Sequence, residues 1–143
     1  MCKTKQINKM SFNLKTSLIL LLFTFCFSCK TEPIDLANHD WKVKDLTGSP
    51  ASKEELSKLS LIFKEGQEIG GFAGCNYYRG GATYNQEQIK FSTLYSDKSN
   101  CELKELEKRF LTNLESSKQY TYHAGNLILQ DVNGNILIEM EKI

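Results

Sequence analysis

Gly70-Gly71-Phe72-Ala73-Gly74-Cys75-Asn76-Tyr77-Tyr78-Arg79-Gly80-Gly81 is the stretch on which the fold turns. Five glycines in twelve residues invite comparison with a phosphate-binding loop. Such a loop continues into Gly-Lys-Ser/Thr and opens a helix, and neither follows here. The spacing of the dinucleotide fingerprint is missing as well. The remaining reading is a glycine-bearing strand, where glycine marks bulges, sharp bends or close backbone approach. Within it, Gly80-Gly81 lies between Tyr77-Tyr78 and Thr83-Tyr84, and is expected to form a hairpin turn.

Working outward, the flanking segments carry the period of half-buried strands. Trp41 and Val43 alternate with Lys42 and Lys44; Leu61 and Phe63 share one face of residues 59–64. Gly48-Ser49-Pro50 and Glu65-Gly66 interrupt these runs, and residues 52–56 have room for one helical turn. Downstream, Ile89, Phe91 and Thr93 alternate with Lys90 and Ser92. Residues 99–116 predict the one substantial helix, because Leu103, Leu106, Phe110 and Leu114 fall on one stripe. Ser99 and Glu102 have the spacing of a capping box, which would place Cys101 in its first turn. Tyr120 and Tyr122, then Leu127 to Gln130, then Ile136, Ile138 and Met140 complete the strands, with Asn133-Gly134 as a hairpin signal. The expected fold is mainly β with one α-helix: about eight short strands in a closed or nearly closed antiparallel barrel, the helix packed against it.

The N-terminal segment has a different chemistry. Residues 1–28 contain Lys3, Lys5, Lys9 and Lys15 and no acidic residue. Residues 29–143 hold 14 basic and 17 acidic side chains, a net of −3 that lacks the basic excess of many nucleic-acid binders. From Leu18 to Phe27 runs an apolar segment of about ten residues, half of the ~20 that a membrane-spanning helix needs. Positive charge, a short apolar run and the small Ser28 read as a secretory signal peptide over residues 1–28, starting at Met1 or Met10. Cys29 directly after Ser28 resembles a bacterial lipobox, so Cys29 is the expected lipidation site and residues 29–40 a tether to a domain spanning 41–143. Each buried methylene adds about 0.8 kcal/mol of membrane affinity, and two or more chains anchor stably. Lys30 stands where an inner-membrane retention signal would place Asp, so the expected location is the outer membrane.

After export only Cys75 and Cys101 remain in the domain, an even number for an oxidising compartment. A bridge would close a loop of about 27 residues and stabilise the fold by roughly 3.5 kcal/mol. Free thiols are the alternative. His39 and His123 are the only histidines and lack ligand spacing, so no metal, cofactor or catalytic residue is expected.

Taken together these residues resemble the META domain, the HslJ-like family of small bacterial envelope proteins. The resemblance covers about residues 36–143 and is carried by Trp41, the Gly71-x-x-Gly74-Cys75-Asn76 core, Thr93 to Cys101, Phe110 and Leu114, and Leu127-x-Leu129 followed by Asp131-x-x-Gly134. It implies a barrel-like fold of lipocalin-type topology in a lipoprotein or secreted domain, with links to stress response and no established catalytic activity. The motif residues Gly71, Gly74, Cys75 and Asn76 are expected to be structural. The expected function is thus a non-enzymatic, membrane-anchored module that contacts an envelope protein. Tyr77, Tyr78, Arg79 and Tyr84 are its candidate surface, because Tyr and Arg dominate interface hot spots; the alternative is that these tyrosines are barrel aromatics. A second function class, a carrier of a small apolar ligand, requires an enclosed apolar cavity above about 300 Å³.

Overall fold

The computed structural model describes residues 34–97 and 99–143. The leader and the lipidation site expected at Cys29 lie outside them. Among the described residues nine strands follow one another: β1 (Asp40–Leu46), β2 (Ser60–Phe63), β3 (Glu68–Phe72), β4 (Tyr77–Tyr84), β5 (Ile89–Phe91), β6 (Tyr95–Ser96), β7 (Gln119–His123), β8 (Asn126–Gln130) and β9 (Ile136–Lys142). Two helices interrupt them, α1 (Lys53–Leu56) and α2 (Lys104–Ser116). The sheet order is β5-β4-β3-β2-β1-β9-β8-β7, antiparallel throughout, with β6 pairing β4 beyond β5. The two outer strands then meet. Ile89 N–H donates to Lys118 O at 3.1 Å and Tyr120 N–H to Glu87 O at 3.0 Å. The sheet is therefore a nearly closed barrel, which removes the exposed edges that invite mispairing.

Alternation places Trp41, Leu61, Ile69, Leu127, Leu129, Ile138 and Met140 inside. Each end is stopped by apolar side chains. Leu36, from the short 3-10 turn Leu36–Asn38, is fully buried at the end where β1 begins. Helix α2 covers the other end with Leu106, Phe110 and Leu114. Asn113 of α2 donates to the Leu137 carbonyl at 3.4 Å, and Glu115 accepts from Leu94 N–H at 2.8 Å.

Two local expectations are corrected. Gly80-Gly81 is no hairpin turn: β4 runs straight through it, and the turns fall at residues 73–76 and 85–88. Side-chain volume is the reason, since a Cβ on Gly80 would lie 2.6 Å from Leu94 Cδ2 and 3.2 Å from Thr93 O. The glycines let the segment after β5 lie close over β4. Likewise α2 starts at Lys104, without a side-chain cap, and Cys101 precedes it. Tertiary ties hold residues 99–103 out of the helix. Asn76 Nδ2 donates to Ser99 O at 3.5 Å, and Cys101 pairs with Cys75, while locally its Sγ accepts from Leu103 N–H at 3.3 Å. A capping box does form elsewhere, at the one-turn α1, between Ser52 and Glu55.

The helix stripe contains one member that hydrophobicity does not select. Glu107 is 8 % exposed, on the same buried face as Leu106 and Phe110. Its carboxylate accepts from Asn76 N–H at 2.8 Å, from Asn76 Nδ2 at 3.1 and 3.2 Å, and from Ser96 Oγ at 2.9 Å. Hydrogen bonds to a charged group contribute about 1.5–3 kcal/mol each, which offsets the desolvation of the carboxylate. One side chain thereby joins α2, the β3–β4 turn and β6.

Two predictions follow from this packing. Glu107→Ala removes the acceptor of two buried Asn76 donors and of the half-buried Ser96 hydroxyl, and is expected to destabilise the fold by about 3–5 kcal/mol, read as a lower urea midpoint. Gly71→Ala drives a Cβ into the Ser60 carbonyl, whereas a Cβ at Gly66 (φ 69°) meets nothing within 4 Å. Gly66→Ala should therefore cost only the left-handed strain of about 1–2 kcal/mol, and Gly71→Ala more than about 3 kcal/mol in the same titration.

Candidate functional site

Strand alternation divides the four candidate surface residues. Tyr78 points inward and is 4 % exposed; its Oη donates to Ser60 O at 2.9 Å and its ring meets Phe110 edge-on at 5.8 Å. Burial pushes its phenol well above the usual tyrosine range. Tyr78 is thus a core residue and leaves the candidate surface, because period 2 sends it to the face opposite Tyr77 and Arg79. Tyr84 is exposed, at 38 %, but stands apart from Tyr77 and Arg79. It lies at the far end of β4, seven positions from Tyr77 and so on the other face, with its ring edge-on to Phe63 at 5.5 Å.

Tyr77 and Arg79 remain, side by side on the outer face of β4. Tyr77 is 72 % exposed and stands across from Phe72 of β3, ring centroids 5.2 Å apart. Arg79 is flanked in register by Gly70 of β3 and by Tyr95 of β6, and Tyr95 is 65 % exposed. Gly70 presents no side chain of its own, and the Lys64 side chain lies over it, 3.5 Å from where a Cβ would stand. Among the described residues the Arg79 guanidinium makes no hydrogen bond or ion pair, its backbone being held in the ladder. The surface that assembles is Phe72, Tyr77, Arg79 and Tyr95. Residue-by-residue reading misses Tyr95 because β6 has only two residues, too few for any alternation to register.

The motif residues sit directly behind this face and act on packing. Gly71 lies against the Ser60 carbonyl, and Ser60 Oγ accepts from Phe72 N–H at 3.0 Å. Gly74, at φ 97°, leaves room for Leu59 Cδ2, which a Cβ would meet at 3.1 Å. Asn76 is buried on Glu107. Cys75 and Cys101 face one another as a disulfide pair with Cα atoms 5.8 Å apart, Cys101 on the exposed side. Among the described residues no three His, Cys, Asp or Glu side chains gather as a metal-ligand set.

The barrel interior is filled. Trp41 and Phe110 are fully buried in it, among Leu59, Leu61, Leu127 and Ile138. The clefts lined by described residues are open and on the outside. One of about 560 Å³ runs along the seam of β5 and β7, past Tyr84, Ile89, Lys90, Lys118 and Val132. Another of about 320 Å³ lies between Ala37, Phe63 and Tyr84. Neither is the enclosed apolar cavity that the carrier alternative requires.

Comparison with known proteins agrees with this architecture. Among solved structures, an NMR structure of a protein from Burkholderia xenovorans is 17% identical, with a TM-score of 0.59 over 99% of this chain and 95% of that one. A second protein solved by NMR is 19% identical, with a TM-score of 0.59 over 77% of this chain and 93% of that one. A DUF4847 family protein from Bacteroides vulgatus is 12% identical, with a TM-score of 0.57 over 74% and 93%. At these identities the likeness is one of fold. No curated protein matches. The META domain family model matches residues 34–142, and it spans the barrel, α2 and the Gly71–Asn76 core together; the chain belongs to the META domain family.

Proposed function

We propose that this META domain chain is a non-catalytic, HslJ-like binding module of the bacterial envelope, lipid-anchored through Cys29 in the outer membrane and stress-related in its role. The basic, short apolar leader ending in Ser28-Cys29 supports the anchor. The observation that carries the binding reading is the outer face of β4 and β6. There two large aromatics stand exposed on either side of an arginine whose guanidinium has no partner among the described residues. Tyr and Arg supply rigid contact area and bidentate recognition, so the surface suits a protein partner that brings a carboxylate and apolar area. The buried polar cluster of Asn76, Ser96 and Glu107 satisfies itself and supports that face from behind.

Two measurements test the reading. Protein exported to a periplasm and purified without reductant should gain about two mass units on reduction, from a Cys75–Cys101 bridge; an unchanged mass means free thiols. A photo-crosslinking amino acid at Tyr95 should give a discrete protein adduct in cells that Arg79→Ala reduces about tenfold or more, the scale of a hot-spot loss. The same crosslinker at the exposed Val132 is the control. Equal adducts from both positions, or no effect of Arg79→Ala, would sink the binding surface.

A further inference from the structure

Ser99 and Glu102 spell a capping box that the fold leaves unused. In that box the Ser99 hydroxyl accepts from the Glu102 amide, the Glu102 carboxylate accepts from the Ser99 amide, and a helix starts at Asn100. Instead α2 begins at Lys104, after Leu103 at φ −94° and ψ 22°. Among the described residues its first backbone bond is Glu107 N–H to Leu103 O, at 2.9 Å. Burial does not explain the late start, since Ser99, Asn100, Cys101 and Glu102 are all exposed and Leu103 is half-buried. The covalent and polar ties on this segment come from one place, the β3–β4 turn. They are the bridge to Cys75, the 3.5 Å hydrogen bond from Asn76 Nδ2 to Ser99 O, and a 3.8 Å contact of Cys75 Sγ with the same carbonyl.

Helical geometry sets the bridge against that signal. The β3–β4 turn rests on one side of α2. A Cβ on Gly74 would stand 3.7 Å from Leu106 Cδ2 and 3.8 Å from Leu103 Cβ, and Asn76 is bonded to Glu107. At about 100° per residue, these three helix positions fall within about 100° of one another. A helix continued back through residue 101 would carry Cys101 at least about 120° away from each of them, and about 9 Å along the axis from Glu107. The bridge instead requires Cys101 on the side of the turn, with its Cα 5.8 Å from that of Cys75. The bridge and the longer helix exclude each other.

We propose that the Cys75–Cys101 bridge is a redox switch on the length of α2: closed, it straps residues 99–103 to the β3–β4 turn; opened by a dithiol reductant, it lets them wind onto the helix back to Ser99. The inference rests on the bridge and is independent of the partner surface. Cys101 is exposed and Cys75 half-buried, so a thiolate of the reductant attacks Cys101 Sγ. The S–S bond breaks, and Cys75 leaves as a thiolate that takes up a proton. The second thiolate of the reductant then displaces Cys101, which takes up the other proton. The pair has gained two electrons, and the dithiol has lost them in closing to a disulfide. Winding moves the Ser99 carbonyl from Asn76 to the Leu103 amide. Asn76 keeps its bonds to Glu107, so the joint between α2 and the turn survives. Along the chain the moving segment follows β6 directly, and Ser99 is three positions from Ser96.

The test is amide hydrogen exchange on the full chain in detergent, bridged and after reduction with dithiothreitol. The amides of Lys104, Glu105 and Leu106 precede the first backbone bond of α2, and a helix started at Ser99 gives each a carbonyl four residues back. Their exchange should slow about tenfold or more on reduction. Cys75→Ser combined with Cys101→Ser should show the same slow exchange without any reductant. Adding Ser99→Ala and Glu102→Ala to that pair should return it to the rate of the bridged protein, because the capping box is gone. Exchange that stays the same or quickens on reduction means that the segment only frays, and overturns the switch. Slow exchange that survives both alanines is not winding from Ser99 and overturns it as well. The core amides of Leu127 and Ile138 report the barrel, and their loss of protection on reduction would make the bridge a requirement of the whole fold, against the switch. A mass unchanged by reduction removes the bridge and the switch together, and leaves the Tyr77–Arg79–Tyr95 surface to its own crosslinking test.

Discussion

Glu107 holds the molecule's two halves in register. A carboxylate placed on the apolar face of a helix is costly to desolvate unless donors meet it, and here Asn76 and Ser96 supply them. The donors come from the tight β3–β4 turn and from a strand two residues long, neither of which has enough apolar area to fix its own position. The carboxylate therefore orients the turn, the turn orients β4, and α2 is seated over the barrel end with Leu106 beside Gly74. The Cys75–Cys101 pair, one residue from Asn76, spans the same joint by a covalent route.

From that joint the remaining architecture follows. With α2 placed, Phe110 reaches into the barrel and meets Tyr78 edge-on, so the interior is solid. An up-and-down order of antiparallel strands has little else to offer a ligand once its core is packed, and chemistry moves to the outside. Along the outer wall the glycines give β4 its character. Gly70 makes room for the Lys64 side chain and Gly80 for Leu94, while Tyr77 and Arg79 of the same wall project outward. Tyr95 joins them only because the segment after β5 folds back over Gly80.

Much of the fold is legible along the chain. Trp41 and Val43, Ile89 and Phe91, or Ile136 to Met140 carry alternation strong enough to declare strands without any neighbour. The stripe Leu106, Phe110 and Leu114 likewise declares a helix. Where reading fails, two signals compete. Gly80-Gly81 has the composition of a turn, but the straight strand wins because Leu94 and Thr93 need the space. Ser99 and Glu102 have the composition of a helix start, but Cys75 and Asn76 hold that segment elsewhere. The candidate surface divides in the same way. Adjacent tyrosines look alike in sequence, and only the phase of β4 makes Tyr77 a surface residue and Tyr78 a core residue.

By itself the sequence determined the class of the protein: a basic, short apolar segment ahead of Ser28-Cys29, a β-rich domain after it, an amphipathic helix, and the Gly71–Asn76 core of the META domain family. Those properties are local, set by hydrophobic period, charge and spacing, and survive without knowledge of any contact. Only the tertiary structure decided which side chains share a surface and which carboxylate is buried. These depend on strand phase and on contacts between residues tens of positions apart, such as Asn76 with Glu107. Pairing at that distance is fixed by how whole elements pack, and a linear pattern carries no record of it.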